Sequence, residues 1–229
     1  MTIEILFPEL ANLYGDNGNV LYLEKSFPKG KIIKTSLNDE PYFLKHKVDL
    51  IYMGTLSPNN EVKVINKLLP YKKKIKEKID KGTVFLFTGN ATEVLGKSLT
   101  LNDKTVVEGL GIFSIESKID ENNRYNSLFL GTIDDIRVVG YKSQSSFMKS
   151  DEPGLFKVIR ENNNEAFEGV HVNNFFGTNL LGPILVLNPY FTRYLYSLIG
   201  YNGPLYLEEK LIDAYDKRLE EYSRADLKF

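Results

Sequence analysis

Thr88, Gly89 and Asn90 stand where a buried run ends abruptly, in Val84-Phe-Leu-Phe-Thr-Gly-Asn-Ala-Thr-Glu-Val-Leu-Gly96. A strand that bends sharply into a short helix is the device by which α/β enzymes expose a nucleophile. The backbone N–H groups opening such a helix lie beside the bend and can stabilise an oxyanion, so the chemistry served would be attack on a carbonyl. Yet the bend carries no strong nucleophile, and the chain has no cysteine from which a thiolate could form. Thr88 can attack only with an adjacent base. The two histidines are His46, in Lys45-His-Lys47, and His171, on an expected edge strand; both settings suit surface or hydrogen-bonded polar residues. A tight strand-to-helix turn accounts for the segment equally, with Gly89 taking unusual backbone angles and Asn90 capping the helix. Binding is compatible with either reading. Glu93, one turn past the bend, faces either the cleft or the helix surface.

Other chemistries find no support. Asp134-Asp135 and Glu208-Glu209 are ordinary turn and helix-surface charges without metal-ligand spacing, so no metal is expected. Gly15-Asp-Asn-Gly18 lacks the following Lys-Ser/Thr of a phosphate loop and the spacing of a dinucleotide fingerprint. No cofactor is expected. With 29 basic against 30 acidic residues and a formal net charge of −1, the chain has no general attraction to nucleic acid. No window approaches eighteen apolar residues, so no membrane span is expected, and the strand-like start Met-Thr-Ile-Glu-Ile-Leu-Phe lacks the form of a signal peptide. The default location is the cytoplasm.

The elements that must position the bend alternate between strand and helix. Apolar Ile3 to Phe7 is followed by the loop Asn12 to Asn19, a helix from near Asn19, and a strand over Lys31 to Thr35. Val48 to Met53 gives a third strand, and Ser57-Pro58 supplies the cap and first turn of a long helix to about Lys81, which Pro70 divides. Such strand-helix units imply a right-handed, mostly parallel sheet. After Gly96 the runs Gly109 to Phe113, Leu128 to Ile133, Ile136 to Tyr141 and Phe156 to Ile159 are broken by Asn, Asp and Gly clusters, suggesting an antiparallel extension. Ile184 to Leu187 reads as a returning buried strand, and Pro189 starts a helix to about Ile199. Residues 1–203 thus form one α/β domain and 204–229 an amphipathic helical tail, with Leu207, Leu211, Tyr215, Leu219 and Tyr222 in one stripe. That tail either packs on its own domain or is presented to another subunit, a second copy included.

Three segments carry a resemblance that spans most of the chain: Phe7-Pro-Glu-Leu-Ala-Asn-Leu-Tyr-Gly-Asp-Asn-Gly-Asn19, the elbow ending in Val94-Leu-Gly96, and Gly177-Thr-Asn-Leu-Leu-Gly-Pro183. They resemble the cobyric-acid-synthase type of class I glutamine amidotransferase, and within it the glutaminase subunits of lipid II isoglutaminyl synthase. The resemblance implies a flavodoxin-like sheet with its site at the carboxyl ends of the strands. It also implies a nucleophilic Cys at the elbow, where this chain has Gly89, or Asn90 if the register slips by one. The family's Gly-Thr-Tyr-Leu-His-Gly-Pro segment supplies a His, where this chain has Leu181, three residues beyond Thr178.

The remaining site positions come from the resemblance one by one. Gly54-Thr55 matches a glycine-rich segment that contributes an oxyanion donor, although Thr55 and Leu56 break its glycine run. Arg124 matches the arginine that grips the substrate carboxylate, the plain alternative being an exposed loop residue. Gln144 stands where Gly140-Tyr-Lys-Ser-Gln144 departs from a Gly-Phe-Glu-x-His segment. Loss of the nucleophile from such a unit costs roughly 10⁶ in kcat, leaving about 10³ to 10⁴ over water. The expectation is a catalytically degenerate amidotransferase-like subunit that works with a Mur-ligase-like, ATP-dependent synthetase in cell-wall peptide amidation. The alternatives are an active amidotransferase or hydrolase rebuilt around Thr88, Asn90 and Arg124, and a small-molecule sensor.

Overall fold

The computed structural model describes residues 1–229. Its first half alternates as the pattern requires: β1 (Thr2–Leu6), α1 (Asn17–Ser26), β2 (Lys31–Thr35), β3 (Leu50–Met53), α2 (Pro58–Leu68), α3 (Lys72–Asp80) and β4 (Val84–Thr88). Ser57 caps α2 by accepting from Asn60 N, and a single turn of 3₁₀-helix over Leu69–Tyr71 separates α2 from α3 at Pro70. Proline cannot donate the i→i−4 hydrogen bond that would have continued the helix.

The middle of the chain is antiparallel: β5 (Ser98–Thr100), β6 (Val106–Glu108), β7 (Ile115–Ile119), β8 (Tyr125–Ile133), β9 (Ile136–Gln144), β10 (Ser146–Ser150), β11 (Phe156–Arg160) and β12 (Phe167–Glu168). They make two four-stranded sheets, ordered β10-β7-β5-β6 and β12-β11-β8-β9. Within the first, β5 and β7 alone run parallel. Gly109 to Phe113 is turn rather than strand, because its amides bond back to Val94, Leu95, Gly96 and Lys97 and tie the elbow helix to β7.

The chain returns to the main sheet through β13 (Val170–Val172) and β14 (Phe175–Thr178), then ends in α4 (Ile184–Leu187), α5 (Pro189–Leu198) and α6 (Glu208–Ser223). The six-stranded sheet runs β13-β14-β4-β3-β1-β2; all neighbours pair in parallel except the edge strand β13. The expected strand over Ile184 to Leu187 is a correction. That segment is the short helix α4, its turns closed by Val186 N and Leu187 N on Pro183 O and by Asn188 N on Ile184 O. The strand that lies beside β4 is β14, in register Phe175 to Phe85 and Thr178 to Thr88. A four-residue apolar run has no length from which helix and strand can be told apart.

Side chains alternate across the main sheet, so Phe85 and Phe87 enter one core with α2 and α3, while Val84 and Leu86 enter another with α1, α4 and α5. Burial on both faces is what near-continuous apolar strands require. The tail helix α6 docks on β8 and β9 through buried Tyr215, with Leu219 and Tyr222 packed alongside.

Candidate functional site

The loops after β1, β3, β4 and β14 converge at the carboxyl ends of the parallel strands, the edge at which open α/β sheets hold their ligands. Residues from all four, together with Glu121, Arg124 and Ser143 to Ser146 from the antiparallel region, line a cavity of about 400 Å³. Two sequence segments far apart in the chain pack together here. A Cβ on Gly18 would come within 2.8 Å of Pro183 Cβ, and Leu185 N donates to Asn19 Oδ1 at 3.0 Å. Leu13-Tyr-Gly-Asp16 and Gly182-Pro183 are thereby held as one wall.

At the bend, Gly89 has φ +58°, the left-handed region that favours glycine. A Cβ built on it would collide with Thr55 Oγ1, Cγ2 and Cβ. The volume a nucleophile's side chain would occupy is therefore filled by Thr55. Asp16, fully buried, holds Thr55 in that place: its Oδ2 accepts from Thr55 N at 2.6 Å, Thr55 Oγ1 at 2.6 Å and Thr88 Oγ1 at 2.9 Å. Burial raises the Asp16 carboxyl, and the hydrogen bonds from Thr55 and Thr88 oppose that rise. Two expectations are corrected by this network. The Thr55 N–H is turned onto Asp16 and does not serve as an oxyanion donor, and Thr88, with no exposed surface, is bonded to Asp16 and Tyr52 away from the cavity. Gly54 also lies off the cavity, where a Cβ would run into Ala11 O and Asp16.

Asn90 is not a helix cap. Its Oδ1 accepts from Leu56 N at 2.9 Å and its Nδ2 donates to Glu61 Oε2 at 2.6 Å, bracing the loop after β3 against the elbow. Glu93 lines the cavity rather than the helix surface. It is buried, accepts from Ser146 Oγ at 2.5 Å, and burial pushes its carboxyl up to about 7 against the effect of that hydrogen bond. Glu61 is raised well above the ordinary carboxylate range by burial and then by the charge of Glu93. Two carboxyls thus share the interior behind one wall of the cavity.

Arg124 lines the exposed mouth, donating to Ser143 Oγ at 2.8 Å and Tyr14 OH at 3.2 Å. Its guanidinium lies 5.8 Å from the Tyr14 ring centroid, and Tyr14 takes the left-handed φ of +55° to present that ring. Gln144 and Leu181 both line the cavity, and Gln144 Oε1 is buried without a donor. Thr178 lies outside it, donating to buried Glu168 and so supporting the Asn179 turn. Neither histidine is near: exposed His46 stacks on Tyr42, and His171, on β13, stacks on Phe176. Asp16, Glu61, Tyr14 and Ser146 escaped sequence reasoning. Glu61 alone left a signal, an acid on the apolar stripe it shares with Val64, Ile65 and Leu68.

A mostly parallel sheet, a strand-to-helix elbow at its carboxyl edge and an antiparallel extension folded over that edge define a class I glutamine amidotransferase-type domain. The chain belongs to the CobB/CobQ-like glutamine amidotransferase domain family, whose model matches residues 2–188. It is 27% identical over 218 residues to the GatD subunit of lipid II isoglutaminyl synthase (glutamine-hydrolyzing) from Staphylococcus aureus, a match covering 93% of this chain and 90% of that protein. Against the subunit of the same name from Streptococcus pneumoniae it is 30% identical over 204 residues, covering 82% and 76%. In fold it is similar to a crystallised glutamine amidotransferase from Thermotoga maritima, with a TM-score of 0.56 at 10% identity over 96% of this chain and 98% of the other. A second crystallised glutamine amidotransferase gives a TM-score of 0.52 at 10% identity, over 87% and 99%. At that identity the two structures speak to fold alone.

Proposed function

We propose that this chain is a catalytically retired glutamine amidotransferase subunit that acts with an ATP-dependent, Mur-ligase-like synthetase in lipid II amidation. The observation that carries the first half is the elbow itself. Gly89 has no side chain, Thr55 fills the space one would need, and the Thr55 N–H is spent on Asp16. Leu181, at the cavity wall, offers no proton transfer where the family's segment offers a His. Against the Thr88 alternative stand its buried hydroxyl and the hydrogen bond it donates to Asp16. Support for the second half comes from the relatives, which are named as subunits of a synthase. No helix is long and apolar enough to cross a membrane, and the proposed place of action is the cytoplasm.

The test is isolation of the tagged chain from its native cell at low salt, with mass spectrometry of whatever accompanies it. A Mur-ligase-like ATPase recovered in near-equal amount is the expected result. Recovery of the chain alone would overturn the subunit reading.

A further inference from the structure

The cavity beside the closed elbow remains open, and its charges are not distributed at random. At the mouth stand one cation and one anion, Arg124 and Glu121, both exposed and three residues apart in the chain. Arg124 bonds only to the hydroxyls of Ser143 and Tyr14 and has no carboxylate partner. Beyond them the cavity meets acceptors short of donors. Glu93 lines the wall with only its Oε2 engaged, Gln144 Oε1 is buried with no donor, and behind them Glu61 Oε1 is likewise without one. Buried acceptors left unmade are costly. A ligand that completes this wall must bring N–H donors, and two neighbouring carboxyls favour donors that carry positive charge.

We propose that this cavity binds a basic α-amino acid, its carboxylate on Arg124, its α-ammonium beside Glu121 and its terminal cation against Glu93 and Gln144. This rests on the reading of the elbow as closed, because a ligand so placed is held and not cleaved. The volume of about 400 Å³ falls within the range of small-molecule sites. A neutral side chain of equal length meets the same mouth but brings no charge to favour the ionised form of Glu93. An amine with no carboxylate meets the wall but leaves Arg124 alone.

Calorimetric titration of the full chain with L-ornithine, L-lysine, L-norleucine, L-glutamine and 1,5-diaminopentane separates these cases, with ammonia measured in the glutamine samples. L-Ornithine or L-lysine should bind at least about tenfold tighter than the other three, a difference one charge-assisted hydrogen bond supplies. Glu93→Gln should abolish that preference, and Arg124→Gln should weaken every ligand that has a carboxylate while leaving the thermal transition unchanged. Equal affinity for L-lysine and L-norleucine, or no binding of either basic amino acid, would overturn the ligand assignment. Ammonia released from L-glutamine would instead overturn the closed-elbow reading, so the two failures are distinguishable.

Discussion

Glu93 and Asp16 are both buried carboxyls at the same sheet edge, yet their surroundings assign them different work. Asp16 is wrapped by Thr55 and Thr88 as donors and fixes a shape. Glu93 accepts from Ser146, with Ser117 nearby, and burial outweighs both to raise its carboxyl to about 7. The folded state holds the Glu93 proton more tightly than the unfolded chain does. Stability from this group is therefore present at low pH and declines as pH rises from about 4.5 through about 7, with Glu61 acting in the same direction. Glu93→Gln keeps the shape and removes the titration. Thermal melts from pH 5 to 8 should show the native chain losing on the order of 3 kcal/mol relative to the variant, and parallel curves would contradict the burial of this group. Gly89, Asn90, Arg124, Gln144 and Leu181, each legible in the sequence as a candidate, are brought together at one cavity. Asp16 was not legible, since its importance arises from three hydrogen bonds donated by two residues, Thr55 and Thr88, that lie 39 and 72 positions away.

At the level of elements, local signals worked where length and caps were clear. The boundaries Lys31–Thr35 and Val84–Thr88 follow from apolar runs between turn residues, and α2 follows from Ser57-Pro58. They failed where tertiary partners decide. The three-residue strands β5 and β6 exist only because β7 and the elbow helix flank them, and α4 is set by Pro183 and by the carbonyl of Ile184 rather than by its own composition. The two readings of the tail are resolved in part by packing. Tyr215 is buried in α6, stacks edge-on with Tyr190 at 5.4 Å, and donates to Arg137 O at 2.8 Å. Its replacement by Ala should cost on the order of 3 kcal/mol, as for other large core aromatics. The urea midpoint of the isolated chain reports this directly, and a change within about 0.5 kcal/mol would mean that α6 is not held by its own domain.

At the level of the whole molecule, the architecture is that of an amidotransferase domain, with Gly89 and Thr55 packed together at the elbow. Four parallel strands still deliver their loops to one edge, and the antiparallel sheets still roof that edge with Arg124 and Ser146. The room a side chain at the elbow would need is filled by Thr55, which Asp16 holds in place. On the proposed reading such a molecule supplies a surface, a pocket and a docked helix, and bond breaking falls to the synthetase. The most direct measurement is ammonia release from L-glutamine by the purified chain, alone and together with whatever synthetase co-isolates with it. The elbow as built predicts no release above the uncatalysed background in either sample. Release that disappears on Asn90→Ala or Thr88→Ala would contradict it and return the chain to the working glutaminases.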